Sequence, residues 1–114
     1  MTRYRKQLGK TGELVAQAYL SKQNHSIRVC NYHTRFGELD IISEHDNMLV
    51  ITEVKTYHTS WIDPVLVITP KKYKTMQAVT QLYCSESDIA MQVRFDLIIV
   101  QHDVVMRHIQ NIQV

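Results

Sequence analysis

The rhythm of apolar and polar residues changes several times along this chain, and each change predicts an element. From about Lys10 to Gln23, Leu14, Val15, Ala18 and Tyr19 recur at helical spacing, and the stem of Lys22 can extend their stripe. Thr11 is a candidate N-cap for this helix. Glu13 would then lie in the first turn, where negative charge suits the helix dipole. The stretch "SIRVCNYHT", residues 26–34, begins with alternation and predicts a strand. Residues 37–43 predict a second strand, and residues 48–56, rich in β-branched side chains, a third. Between these two lies "EHDN", a turn-type cluster. "SWIDPVLV", residues 60–67, reads as a connection or an edge, because Pro64 cannot donate to a ladder. A second helix opens with Thr69 as cap and Pro70 at its first position, where the missing N–H is not needed. Its apolar stripe is Tyr73, Met76, Val79, Leu82 and Tyr83. "MQVRFDLIIV", residues 91–100, and "VVMRHIQNIQV", residues 104–114, predict two last strands. The order α-β-β-β-α-β-β predicts an α/β fold, a central mixed β-sheet flanked by helices.

The second and third strands carry charge where a hairpin should be buried: Glu38, Asp40, Glu53 and Lys55. Side chains alternate faces with period two, so Glu38, Asp40 and Ile42 share one face, as do Ile51, Glu53 and Lys55. A two-residue turn at Asp46 and Asn47 sets Ile42 opposite Ile51, Asp40 opposite Glu53 and Glu38 opposite Lys55. Two opposed carboxylates repel, and the pKa of one must rise unless a cation sits between them. Hard oxygen ligands of this kind suit Mg2+ or Mn2+. Such an ion polarises a phosphate oxygen and acidifies water, and Lys55 would point into the same site. The plain alternative is a surface Glu38–Lys55 salt bridge on a solvated sheet face.

Length and composition narrow the field. A chain of 114 residues fits one domain, residues 1–114, and can build a core unaided. With 3 glycines and 2 prolines, long disordered loops are not expected. The net charge of +2 permits nucleic-acid binding without signalling it. Two cysteines, Cys30 and Cys84, are too few for a disulfide scaffold and read as free core thiols. No apolar run suits a signal peptide or a membrane span, so a cytoplasmic protein without membrane contact is expected.

Five segments occur together in one order: "GKTGELVAQAYL", "NYHTRFGELDII", "VITEVKT", "TPKKYKTMQAVTQLY" and "RFDLIIV". Together they resemble the YraN-type family of uncharacterised bacterial proteins, which is itself similar to archaeal Holliday-junction resolvases and the PD-(D/E)XK nuclease superfamily. The resemblance implies a restriction-endonuclease-like three-layer fold and a metal-dependent phosphodiesterase site. It assigns the acidic metal ligand to Asp40 of "GELD", and the E-x-K motif to Glu53 and Lys55 of "TEVK". It assigns an assisting acid on the first helix to Glu13 of "TGEL". The carbonyl of Val54 is the expected further ligand of Mg2+ or Mn2+. The chain departs from the pattern in four places: His33 and Tyr57 stand where the family has arginine, "SWIDPVLVI" replaces a segment with glycine, and "NIQV" replaces an "NAF"-like ending.

The expected function is therefore nucleic-acid binding with metal-dependent endonuclease activity, on DNA ahead of RNA and with branched DNA as one candidate. The alternatives are a non-catalytic nucleic-acid-binding module on the same fold and, behind it, a structural or adaptor protein. A cutter of branched DNA would favour a two-fold homodimer. Phosphate contacts are expected from Arg3, Arg5, Lys6 and Arg35, and from Lys71, Lys72 and Lys74 at a helix start. Trp61 and Tyr57 read as packing residues before base-stacking ones, and the six histidines as solvent-exposed.

Overall fold

The computed structural model describes residues 3–57 and 68–114, without the side chains of residues 3–9. The expected order of elements holds: α1 (Arg3–Lys22), β1 (Ser26–Thr34), β2 (Gly37–His45), β3 (Met48–Tyr57), α2 (Pro70–Glu86), β4 (Gln92–Gln101) and β5 (Val104–Ile109). The strands form one sheet in sequence order. Every neighbouring pair is antiparallel except β3 and β4, which are parallel across α2. "SWIDPVLV", with Trp61, and His58 lie outside the described residues, as do the side chains of Arg3, Arg5 and Lys6.

Local chemistry explains the boundaries. Asp46 and Asn47 have φ 53° and 62°, and His102 and Asp103 have φ 52° and 60°. Both pairs are left-handed at two consecutive residues, the twist that suits a two-residue hairpin. Thr69 caps α2 as expected, its hydroxyl accepting from the Lys72 N–H at 3.1 Å. Asn24 (φ 68°) and Asp88 (φ 53°) end the helices in the left-handed region. There His25 N–H donates to the Leu20 carbonyl and Ile89 N–H to that of Cys84, satisfying carbonyls in each last turn.

The helices cover opposite faces. Met76, Val79 and Tyr83 of α2 pack on Leu49, Ile51, Leu97 and Ile99. Ala16 and Leu20 of α1 pack on Ile41, Ile98 and Val100. Helix α1 differs from its expected form. It starts before Thr11, so Thr11 caps nothing and Glu13 lies inside the helix rather than in its first turn. Leu14 is 65% exposed, and Ala18 is exposed too. The buried stripe is Gly12, Ala16 and Leu20, flanked by Val15 and Tyr19. Small residues hold this stripe because the helix runs very close to β3. A Cβ built on Gly12 would overlap the Thr56 hydroxyl.

The same face holds a polar network that the expectation of exposed histidines missed. Fully buried Asp96 accepts from Arg94 Nε and Nη2 at 2.9 Å each and from Asn111 N–H at 3.1 Å. It also pairs with His108 Nε2 at 2.8 Å, and His108 Nδ1 pairs with the Tyr19 hydroxyl of α1 at 3.1 Å. Buried His25 pairs with Ser43 at 2.8 Å and stacks on His45. Burial, then the nearby His45 and Arg94, lowers the His25 pKa to about 4. His25, His45 and His108 each meet a partner on another strand, Ser43, Arg94 and Asp96, while His25 Nε2 has none among the described residues.

The Gly12–Thr56 contact gives a direct test. Gly12→Ala should destabilise the protein by about 1–3 kcal/mol through overpacking, although alanine in a helix is otherwise favoured by roughly 1 kcal/mol. Adding Thr56→Ala should restore part of the loss, a coupling that urea denaturation of the four-protein cycle would measure. A more stable Gly12→Ala variant would contradict the close approach.

Candidate active site

The β2–β3 ladder has the expected register, from His45–Met48 through Ile42–Ile51 to Ile41–Thr52, and ends there. The reason is at Asp40. Its Oδ2 accepts the Val54 N–H at 2.9 Å, so a side chain takes an amide of β3 just past the end of the ladder. Strand alternation breaks at the same point. Leu39 and Ile42 pack on the α2 face, while Ile41 packs on the α1 face. On β1, Asn31 interrupts the pairing opposite with φ 56°. The expected pairing of Glu38 with Lys55 is therefore absent: Glu38 faces His33 of β1, with Oε2 2.9 Å from Nδ1.

Asp40 and Glu53 nevertheless meet, and both are buried. Burial, then hydrogen bonding to Glu53 and its charge, raises the Asp40 pKa well above the usual carboxylate range. Burial alone would raise Glu53 as well. The bond from Asp40 and the charges of Lys72 and Lys55 outweigh it, and Glu53 stays ionised. The two carboxyls titrate as a pair, with Asp40 pushed up and Glu53 held down. Lys72 Nζ lies 3.2 Å from Glu53 Oε2 and Lys55 Nζ 4.0 Å from it. These are ion pairs without hydrogen-bond alignment, so Oε2 is a buried oxygen with no donor.

Glu13 comes from the α1 face. Its pKa is raised by burial, partly offset by a hydrogen bond with Asn31, and raised further by the charges of Glu38 and Glu53. Gly12 allows this, since the neighbouring glycine lets α1 sit against β3. Asp40, Glu53 and Lys55 are thus adjacent and Glu13 is within electrostatic reach of them. Of the basic residues expected at phosphates, Arg35, Lys71 and Lys74 are exposed, while half-buried Lys72 turns inward to Glu53. Tyr57 packs against the core on the α2 side. Cys30 and Cys84 are free and half-buried. Among the described residues no helix is long and apolar enough to cross a membrane.

The profile of the uncharacterised protein family UPF0102 matches residues 12–100. The chain belongs to this family. A UPF0102 protein of Nitratiruptor is 34% identical over 107 residues, which cover 94% of this chain and 93% of the relative. One of Phocaeicola vulgatus is 40% identical over 93 residues, covering 81% and 77%, and one of Syntrophomonas wolfei is 35% identical over 95 residues, covering 82% and 83%. The UPF0102 match takes in Glu13, Asp40, Glu53, Lys55 and Lys72 and leaves out Arg3, Arg5 and Lys6.

The UPF0102 site has donors suited to a hard cation. Among the described residues no three His, Cys, Asp or Glu side chains form a ready cage. Mg2+, however, is commonly held by one or two carboxylates with waters and substrate phosphates. Two buried carboxylates, one with an unpartnered oxygen, fit that requirement.

The raised pKa of Asp40 makes stability depend on pH in a defined direction. The folded chain keeps a proton on Asp40 that the unfolded chain releases above the ordinary aspartate value of 3.8. Stability from this group is full below that value and is lost as pH rises toward the folded pKa. Asn at this position mimics the protonated acid, accepting from Val54 N–H and donating to Glu53. With chelator present, Asp40→Asn should match wild type near pH 4 and exceed it by on the order of 1 kcal/mol by pH 8. Thermal melts across that range measure the difference, and a variant less stable at pH 8 than at pH 4, relative to wild type, would reverse the assignment.

Proposed function

We propose that this UPF0102 protein binds nucleic acid, DNA ahead of RNA, and hydrolyses its phosphodiester bonds with Mg2+ or Mn2+. The observation that supports the reading is the buried Asp40–Glu53 pair, with a Glu53 oxygen that lacks a donor and two lysines beside it. Burying such a pair costs desolvation that one uncharged residue would remove, so a bound cation would offset a real penalty here. Asp40 and Glu53, with the carbonyl of Val54, would hold the ion. When bound, Mg2+ or Mn2+ supplies Lewis-acid polarisation of phosphate and a more acidic water.

The remaining roles belong to side chains. Lys55 stabilises negative charge gathering on the attacked phosphate. Lys72 neutralises Glu53 in the resting site and is released to a phosphate oxygen when that carboxylate finds another cation. Glu13, with its raised pKa, is suited to hold or pass a proton beside the site. Exposed Lys71 and Lys74 lie on the same first turns of α2 and can track the backbone.

A panel of linear, flapped and branched DNA and of RNA, incubated with Mg2+ or Mn2+, tests the reading. At least one substrate should be cut, and chelator should stop the reaction. Glu53→Gln should abolish turnover, and Lys55→Ala should slow it by roughly 10²–10³-fold, the usual cost of one charge-stabilising group. Salt-sensitive binding without cleavage of any substrate would replace the enzyme with a binding module.

A further inference from the structure

The hairpin joining β1 and β2 ends in Arg35 and Phe36, and its tip is fixed. Thr34 Oγ1 accepts from the Phe36 N–H at 3.1 Å and donates to the Gly37 carbonyl at 2.9 Å. Gly37 has φ 151°, and a Cβ there would press within 2.7 Å of the Thr75 side chain, so the tip seats flat on α2. Phe36 is nevertheless 60% exposed. The Arg35 guanidinium lies 4.8 Å from its ring centroid and covers one face. Beside the tip runs a groove of about 410 Å³, bounded by Tyr32, His33, Arg35, Phe36, Leu82 and Glu86. The Tyr32 ring is fixed edge-on against Tyr83 at 5.2 Å, and its hydroxyl donates to Glu86 Oε2 at 2.7 Å.

We infer that this groove takes an unpaired nucleobase from the strand whose backbone meets the Asp40 site. The inference rests on the nucleic-acid reading above and names the part of the substrate that reading leaves open. Aromatic walls suit a flat π-system and tolerate any base. Glu86 is an acceptor for an exocyclic amine and repels phosphate, so an uncharged base fits the interior where a backbone does not. Exposed Arg35 at the rim can meet the flanking phosphate. The volume lies at the lower end of ligand sites, roughly 300–1,000 Å³. Phe36, in the turn just before β2, is four residues from Asp40, at most about 13 Å at strand rise. That is roughly four base steps of duplex at 3.4 Å per strand. The groove therefore selects substrates with an unpaired base a few steps from the bond at Asp40.

Binding of two probes to the full chain tests this: a paired DNA duplex, and the same duplex with a short single-stranded flap carrying 2-aminopurine. Wild type should bind the flapped probe more tightly and quench its fluorescence. Phe36→Ala should weaken flapped binding by roughly five- to a hundredfold, the usual cost of one lost base stack. It should leave duplex binding unchanged and abolish the quench. Phe36→Leu, which keeps the apolar bulk, should also lose the quench. Duplex binding without flap preference, or flap binding indifferent to both variants, would overturn the groove and leave the nucleic-acid reading standing. Binding of neither probe would end both. If Phe36→Ala instead shifts sedimentation from dimer to monomer, a second copy occupies the groove and the base does not.

Discussion

One hydrogen bond organises this molecule: Val54 N–H to Asp40 Oδ2 at 2.9 Å. A buried amide must be paired, and in a sheet its ordinary partner is a backbone carbonyl. Here a carboxyl takes that place, and the β2–β3 ladder stops at Ile41–Thr52. The substitution splits the strands, turns Leu39 onto the α2 side and brings Asp40 against Glu53. One oxygen of Asp40, Oδ2, is committed to the backbone. The site is thus positioned by the sheet rather than by a loop.

The helices finish what that bond begins. Gly12 removes the Cβ that would hold α1 away from Thr56, and Glu13 follows it toward the acidic pair. Thr69 and Pro70 fix the start of α2, so Lys72 leaves the helix facing β3 and reaches Glu53 at 3.2 Å. On the α1 face the Arg94–Asp96–His108 network ties β4 to β5 and, through Tyr19, to α1. It is fully partnered at Asp96, although His25 Nε2 beside it is buried without a hydrogen-bond partner among the described residues, as Glu53 Oε2 is in the acidic pair.

Much of this was legible in local pattern. The first strand has the bounds that alternation gave it, and the Asp46–Asn47 turn set the hairpin register, because a two-residue left-handed turn leaves little choice. The Thr69 cap was equally local. The pattern predicts a last strand through residue 114, but the strand ends at Ile109, before left-handed Asn111, and the other failures are mostly non-local. The break at Asp40 depends on a side chain meeting an amide of another strand, so alternation alone paired Glu38 with Lys55. The buried stripe of α1 depends on how near the sheet lies, which favoured Gly12 and Ala16 over the larger Leu14. Lys72 looked like a surface lysine because its partner is across the β3–α2 crossover. His33 and His102 are exposed as expected, whereas His25 and His108 looked exposed because their partners, Ser43, Asp96 and Tyr19, are distant in sequence.

The central claim is that the Asp40–Glu53 pair is a cation site and not a structural acid pair. Titrating Mn2+ into the chain and counting free ion by electron paramagnetic resonance tests it without any nucleic acid. The account predicts one bound ion per chain in wild type and loss of that ion in Glu53→Gln, with the fold intact by circular dichroism. Equal Mn2+ binding by the two proteins, or none by wild type, would contradict it.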